Sequence, residues 1–351
     1  MKILTIVGAR PQFIKAAAVS RAWRLYRPDV NEILVHTGQH YDANMSDVFF
    51  QELELPAPQY HLGIGGGTHG QNTGRMIEAV ESVILSEKPD GVLVFGDTDS
   101  TLAGALAAAK LHVPVGHVEA GLRSFNRQMP EEINRILTDH ISHWLFTPTI
   151  TATKHLKNEG IDAKNIIQTG DVMYDATLFY RERAKWPDAV SASKPFILFT
   201  LHRAENTDNT QRFVKIFDEI NHLAADFEVI FPVHPRTRQK LMADYPGSMG
   251  IKLIDPVGYL EMMALLHQCS MVITDSGGLQ KEAYFFEKPC LILRNETEWV
   301  ELMETGNHRL ELQYPNAIKE QVYELLQQNI EINKGIYGEG NASELVVRNW
   351  M

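Results

Sequence analysis

Cysteine is nearly absent from this chain: Cys269 and Cys290 are its only two in 351 residues. Each sits in or beside an apolar run, so a disulfide-stapled fold is excluded and two buried free thiols in a reducing cytoplasm are expected. Zinc-type Cys/His spacing is missing too. His36, His40, His112 and His117 form no i, i+4 ligand pair, so no metal is expected. There is no run of about 18 apolar residues, which excludes a helical membrane span. The apolar stretch after Met1 stops at Gly8-Ala9-Arg10-Pro11, too soon for a signal-peptide core, and reads as a first β-strand. Positive charge is in deficit: 33 Lys and Arg face 44 Asp and Glu, a net charge of −11. That speaks against nucleic acid held on a broad basic face. A small anionic ligand stays possible, because a few local cations and backbone N–H groups outweigh a distant negative surface.

What the chain has is an alternation of short apolar runs and amphipathic helical stretches, with 44% hydrophobic residues to fill its cores. Strands are expected at Ile3–Val7, Ile33–His36, Gly91–Phe95, Val115–Val118 and Trp144–Thr147. A second set is expected at Phe196–Thr200, Glu228–Val233, Lys252–Ile254, Met271–Thr274 and Cys290–Leu293. Gln71–Glu87, Leu102–Leu111, Glu131–Ser142 and Arg212–Ala225 read as helices between them. Continuous Val/Ile/Leu runs punctuated by helices indicate parallel strands covered on both faces. The length suggests about two domains, and polar Trp186–Lys194 suits a linker near their boundary. The expectation is α/β: two doubly wound, Rossmann-like parallel-sheet domains, with ligand sites at the strands' carboxyl ends and a cleft between the domains.

Polar residues follow strand after strand at those ends. They are Gly8-Ala9-Arg10-Pro11, Thr37-Gly38-Gln39-His40, Gly96-Asp97-Thr98, Glu119-Ala120-Gly121, His202-Arg203-Ala204-Glu205-Asn206 and His234-Pro235-Arg236. After Met271–Thr274 comes Asp275-Ser276-Gly277-Gly278, opening into a helix. Unpaired N–H groups and the helix dipole make such a turn fit a phosphate, with Glu282 one turn on to accept from ribose hydroxyls; an ordinary αβ turn with a Ser cap is the plain alternative. Asp97 is a candidate acid or base, or a helix cap. Glu119, directly after an apolar strand, is expected to be partly buried, which raises a carboxyl toward the proton-transfer range; its alternative is an ion pair with Arg123 or Arg135. Glu131 and Glu132 open a helix, where the dipole favours acids in any case. His202 can orient a substrate or touch a diphosphate, and Arg10 and Lys15 can neutralise an anion. No Ser or Cys nucleophile flanks these groups. The stretch Gly63–Gly70 is neither a Walker nor a dinucleotide motif and reads as a cleft loop.

These motifs occur in a fixed order, joined by Pro130-Glu131-Glu132-Ile133-Asn134-Arg135, Thr169-Gly170-Asp171 and the closing Tyr337-Gly338-Glu339-Gly340-Asn341-Ala342. As a set they resemble the non-hydrolysing UDP-N-acetylglucosamine 2-epimerase family over nearly the whole chain. The resemblance implies a fold like that of GT-B glycosyltransferases: an N-terminal domain over 1–170, and a UDP-binding domain over 171–351 whose last helix crosses back. It implies a cytoplasmic homodimer of bacterial surface-polysaccharide (O-antigen) synthesis, acting on a UDP-sugar without a cofactor. A carboxylate removes the C2 proton, UDP leaves C1, and UDP adds back to a glycal-like intermediate as C2 is reprotonated on the other face. Asp97, Glu119, Glu131 and His202 match the family's catalytic positions. Arg10, Lys15, His234, Ser276, Gly277, Gly278, Glu282 and Arg294 are expected to bind substrate.

Two departures separate the chain from the enzymes of UDP-N-acetylglucosamine. Gly8-Ala9-Arg10-Pro11-Gln12 replaces Gly-Thr-Arg-Pro-Glu, and Thr297-Glu298-Trp299-Val300-Glu301 replaces Thr-Glu-Arg-Pro-Glu. Both resemble the branch acting on UDP-2,3-diacetamido-2,3-dideoxy-glucuronate, whose C6 carboxylate calls for an added cation such as Arg123, Arg127 or Arg294. UDP-N-acetylglucosamine as substrate, a hydrolysing epimerase, a GT-B glycosyltransferase and a UDP-sugar sensor are the alternatives.

Overall fold

Buried runs of Val, Ile and Leu set the two sheets of the chain. The computed structural model describes residues 1–38, 50, 52–191, 195–245, 250–313, 317–328 and 335–350. Contacts divide the chain into two units, Met1–Leu178 with Lys334–Met351, and Phe179–Asn333. The division falls inside the helix Val172–Arg181, ahead of the polar segment 186–194. Residues 192–194 of that segment, and Gln39, His40 and Tyr41 of the second strand-end loop, lie outside the described residues.

The first unit holds β1 (Lys2–Val7), β2 (Asn31–His36), β3 (Tyr60–His61), β4 (Gly91–Phe95), β5 (Val115–Val118), β6 (Trp144–Thr147) and β7 (Ile166–Gln168). Every pairing is parallel, in the order β3-β2-β1-β4-β5-β6-β7. The second holds β8 (Phe196–Thr200), β9 (Glu228–Pro232), β10 (Lys252–Ile254), β11 (Met271–Thr274), β12 (Cys290–Ile292) and β13 (His308–Leu310), parallel in the order β10-β9-β8-β11-β12-β13. Strand order reverses between β1 and β4 in one sheet and between β8 and β11 in the other. Loops leaving the carboxyl ends of these four strands flank the two crevices where such sheets take ligands.

Helix starts lie earlier than the apolar pattern implies, because polar caps carry the first turn. Thr68 accepts from the Gln71 N–H, so that helix begins at His69; Thr98 accepts from Thr101, so the next begins at Asp99. The terminal helix Ala342–Arg348 belongs to the first unit. The Asp175 carboxylate accepts from the N–H groups of Ala342 at 3.1 Å and Ser343 at 2.7 Å. Trp350 then fills a slot beside Trp144 and Phe146 that exists only because Gly116 has no side chain: a Cβ there would lie 2.2 Å from the indole.

In the second unit Phe199, Phe213, Phe217 and Phe231 interlock under β8 and β9. Cys269 and Cys290 are buried free thiols; burial pushes Cys269 up to about 12 and Cys290 well above its usual value, so both stay protonated. His308 on β13 donates from Nε2 to the Gln280 carbonyl at 2.8 Å. Burial lowers its pKa to about 4, so a neutral ring ties β13 to the helix Gly277–Phe285.

Candidate functional site

In the first unit the loops after β4 and β5 meet the start of the helix Arg10–Tyr26. Gly96, the residue after β4, has φ +62, and a Cβ there would lie 3.2 Å from both the Lys15 Nζ and the Glu119 Oε2. Glycine therefore supplies both the left-handed turn and the space for an ion pair. Glu119 pairs with Lys15, whereas Arg123 and Arg135, the partners named by the alternative reading, are engaged by Asp139 and Glu159 and by Asp97 and Glu132. The Lys15 and Glu119 side chains are both over nine-tenths buried. Glu119 is itself left-handed at φ +73, with its N–H and that of Ala120 both donating to the Phe146 carbonyl at 3.1 Å. A non-glycine residue in this region costs on the order of 1 kcal/mol, and such outliers cluster where function demands them.

A cavity of about 210 Å³ opens beside this pair. Lys15, His69, Asp97, Asp99, Glu131 and Asn134 are among its polar lining. Asp97 is about one-third exposed and is gripped by Arg135, with Nε at 2.9 Å and Nη2 at 2.8 Å from its Oδ2. The neighbouring acids divide their work. Glu131 is exposed on the cavity, whereas Glu132 is buried against Arg135 and accepts from the N–H groups of Ser124 and Phe125. Burial acts to raise the Glu132 carboxyl, but those N–H groups and Arg135 outweigh it and hold it below its usual value. Arg10 is half-buried at the first position of its helix.

Under the cavity floor lies a fully buried cluster. His117 meets Asp139 through Nδ1 and the Gly96 carbonyl through Nε2, each at 2.7 Å. Asp139 also accepts from Arg123 Nη1 at 2.7 Å and from the Gly121 N–H at 3.1 Å. Burial would raise Asp139, but His117 and Arg123 reverse the shift and lower it. Fully buried Arg123 also donates to Glu159 from Nε and Nη2 and to the Leu122 carbonyl, which brings four of its five N–H groups onto protein acceptors. It is thus a structural cation with no face for a substrate, which corrects its expected place as a possible partner of a sugar carboxylate. Arg127 is exposed.

In the second unit the turns after β8 and β11 meet at Asp275. Its fully buried carboxylate accepts from the N–H groups of His202 at 3.0 Å and Arg203 at 2.9 Å, from Asn206 Nδ2 at 3.1 Å, and lies 3.1 Å from His202 Nδ1. Burial acts upward on Asp275; His202, Arg203 and Asn206 together hold it below the usual range. The His202 ring is about half exposed, so Asp275 fixes one edge and leaves the other open. Ser276 caps the helix Gly277–Phe285, its Oγ accepting from Leu279 at 3.4 Å. Capping uses the third N–H and leaves those of Gly277 and Gly278 without a partner inside the helix. Arg294 is buried and pairs with Glu298 at 3.0 Å, while its Nε has no protein acceptor. A Cβ on Gly277 would lie 2.7 Å from the Glu298 Oε1 and 3.9 Å from guanidinium nitrogens of both Arg294 and Arg203, so a carboxylate stands closer to this turn than either cation. Two first-turn N–H groups, a helix dipole and two guanidinium groups converge here around the Glu298 carboxylate, a setting for an anion that takes that carboxylate's place. Glu282 is buried one turn further on. His234 is exposed and caps the helix Pro235–Asp244.

The structure thus brings Lys15, Asp97, Glu119 and Glu131 together in one unit, and His202, Ser276, Gly277 and Arg294 in the other. Asn134 and Asp275 stand inside motifs quoted above but, like His69 and Asp99, are given no role by the sequence. Thr98-Asp99-Ser100 and Thr68-His69 look like ordinary capping sequences, and Asn134 lies mid-helix, so none carried a signal by itself. Among the described residues no helix is long and apolar enough to cross a membrane, and no three His, Cys, Asp or Glu side chains cluster as metal ligands.

Comparison with known proteins bears on the same regions. The family model for UDP-N-acetylglucosamine 2-epimerase matches residues 25–350. The UDP-2,3-diacetamido-2,3-dideoxy-D-glucuronate 2-epimerase of Pseudomonas aeruginosa is 53% identical, over 99% of this chain and 98% of that protein. The crystal structure of the Methanocaldococcus jannaschii UDP-GlcNAc 2-epimerase in complex with UDP-GlcNAc and UDP superposes with a TM-score of 0.90 at 42% identity, covering 99% of both chains. A glycosyltransferase from Streptomyces nogalater, at 15% identity, a TM-score of 0.55 and 99% and 93% coverage, shares the fold alone. With the family model spanning almost the whole chain and a full-length relative at 53% identity, this chain belongs to the UDP-N-acetylglucosamine 2-epimerase family.

Proposed function

We propose that the chain inverts C2 of UDP-2,3-diacetamido-2,3-dideoxy-glucuronate by elimination and re-addition of UDP. The observation that carries the substrate is the 53% identity, over the full length, to the Pseudomonas aeruginosa enzyme of that name. The chemistry is supported residue by residue. Proton removal at C2 and its return on the opposite face need two acid–base groups; Glu119, Asp97 and Glu131 supply three carboxyls within one loop cluster. Departure of UDP from C1 builds charge on the diphosphate. The Gly277 and Gly278 N–H groups, Arg294 and Arg203 are disposed to stabilise it. His202, fixed by Asp275 through Nδ1, donates from Nε2 to the same anion when its ring carries both protons, while Glu282 meets ribose hydroxyls. Arg10 and His234 are assigned as further contacts of the nucleotide. The Arg294 Nε, buried and without a protein acceptor, also supports contact with an anionic ligand. A cytoplasmic homodimer belongs to this reading: two protonated buried thiols support the compartment, and exposed Phe125, Ile133 and Leu137 support a partner surface.

Steady-state assays with the purified protein test the substrate. We expect kcat/KM for the diacetamido uronate to exceed that for UDP-N-acetylglucosamine by about 10- to 10²-fold, the worth of one hydrogen bond to a charged group. Equal rates, or preference for UDP-N-acetylglucosamine, would overturn the assignment.

A further inference from the structure

We propose that His69 is a substrate-contacting residue of the sugar site, held in position by Asp99 and Asn134. The inference rests on the reading that the cavity of the first unit receives the sugar. His69 opens the helix His69–Glu87 at the end of the Gly63–Gly70 stretch, to which the reaction as described gives no task. Its Nδ1 lies 2.9 Å from Asp99 Oδ2, and its ring is about two-thirds exposed on the cavity. Asp99 is only 7% exposed, and its other oxygen accepts from Asn134 Nδ2 at 3.3 Å. The same Asn134 amide donates to the Asp97 carbonyl at 2.9 Å, so one chain of hydrogen bonds runs from His69 to the backbone of a candidate acid–base residue.

The geometry sets the chemistry of the ring. A buried carboxylate accepts from Nδ1–H, which fixes the tautomer and points the job of recognition to Nε2. Nε2 then accepts from a sugar hydroxyl or amide N–H, or donates to a carboxylate or carbonyl when the ring is charged. The charged groups around it are Asp99 directly, and Asp97, Glu131 and Lys15 across the cavity lining. Lys15 is engaged by Glu119 and Asp97 by Arg135. His69, beside the exposed Glu131, thus offers the cavity a polar edge that is both oriented and open.

Three variants separate contact from scaffolding. Asparagine places a donor near the Nδ1 position and can keep Asp99, but lacks reach; glutamine places a polar atom near Nε2. Kinetics would be followed on whichever UDP-sugar the wild-type protein turns over, with UDP as a competitive inhibitor in parallel. We expect His69→Ala and His69→Asn to lower kcat/KM by about tenfold or more, the loss of one hydrogen bond to a polar ligand. His69→Gln should recover most of that loss, and inhibition by UDP should stay within about twofold in all three. The inference is overturned by wild-type kinetics in His69→Ala, by His69→Gln as impaired as His69→Asn, or by equal weakening of UDP. Wild-type preference between the two sugars decides the substrate reading separately, because the His69 series is scored as a ratio to wild type on a single sugar.

Discussion

Glu119→Gln should reduce epimerisation by about 10²–10⁴-fold, the range for loss of a positioned acid or base, while UDP still binds. The substitution is nearly isosteric, so the left-handed turn at Glu119 and its bonds to Phe146 can survive. Lys15, however, loses its buried counter-charge, and an orphaned charge of this kind destabilises a protein strongly. A fall in activity alone would then be ambiguous between chemistry and folding. The double variant Lys15→Met, Glu119→Gln removes both charges from a site where both side chains are over nine-tenths buried. It should regain most of the stability, measured by urea unfolding, and remain inactive. Recovery of activity in the double variant would show that Glu119 serves only to neutralise Lys15.

Asp139→Asn should cost about 3–5 kcal/mol at neutral pH, the usual penalty for breaking a buried ion pair on one side. Three groups depend on that carboxylate: His117, Arg123 and the Gly121 N–H. The pH dependence identifies the cause. The folded-state pKa of Asp139 lies below its ordinary value, so the stabilisation is fully present above the unfolded pKa, near 3.9. It is lost as pH falls through the lower folded value. The stability gap between wild type and Asp139→Asn should therefore be widest near neutrality and narrow below about pH 4. Urea unfolding followed by tryptophan fluorescence measures it, three of the five tryptophans, Trp23, Trp144 and Trp350, being packed together in the first unit. A gap that is constant from pH 7 to 3 would assign the loss to packing instead. Because His117 holds the Gly96 carbonyl, next to Asp97, activity should drop along with stability.

The two-sheet architecture was legible because buried parallel strands read as continuous Val/Ile/Leu runs. β1, β4, β8 and β11 announce themselves. Of the four edge strands β10 does as well, but β3, β7 and β13 do not: β3 spans two residues, β7 three, and β13 is His308–Leu310 with two polar side chains facing buried surroundings. Helix starts at His69 and Asp99 were hidden behind polar first turns that periodicity ignores. In the site, the motifs named the residues but not their partners. Lys15 reads as a cation for a ligand, yet lies 104 positions from the Glu119 it binds. Arg123 reads as available, yet it is buried, with Asp139, Glu159 and the Leu122 carbonyl taking four of its five N–H groups. Pairings over such separations are set by strand order at a switch point, which no local pattern encodes. His69 was missed for a related reason: its meaning comes from Asp99, 30 residues away.

The account stands on proton exchange at C2 with the glycosyl–UDP bond re-formed. Incubating the protein with UDP-2,3-diacetamido-2,3-dideoxy-glucuronate in D2O and following it by proton NMR tests this directly. Both C2 epimers should accumulate with deuterium at C2, still joined to UDP. Interconversion with the C2 hydrogen retained, or UDP released in step with free sugar, would contradict it.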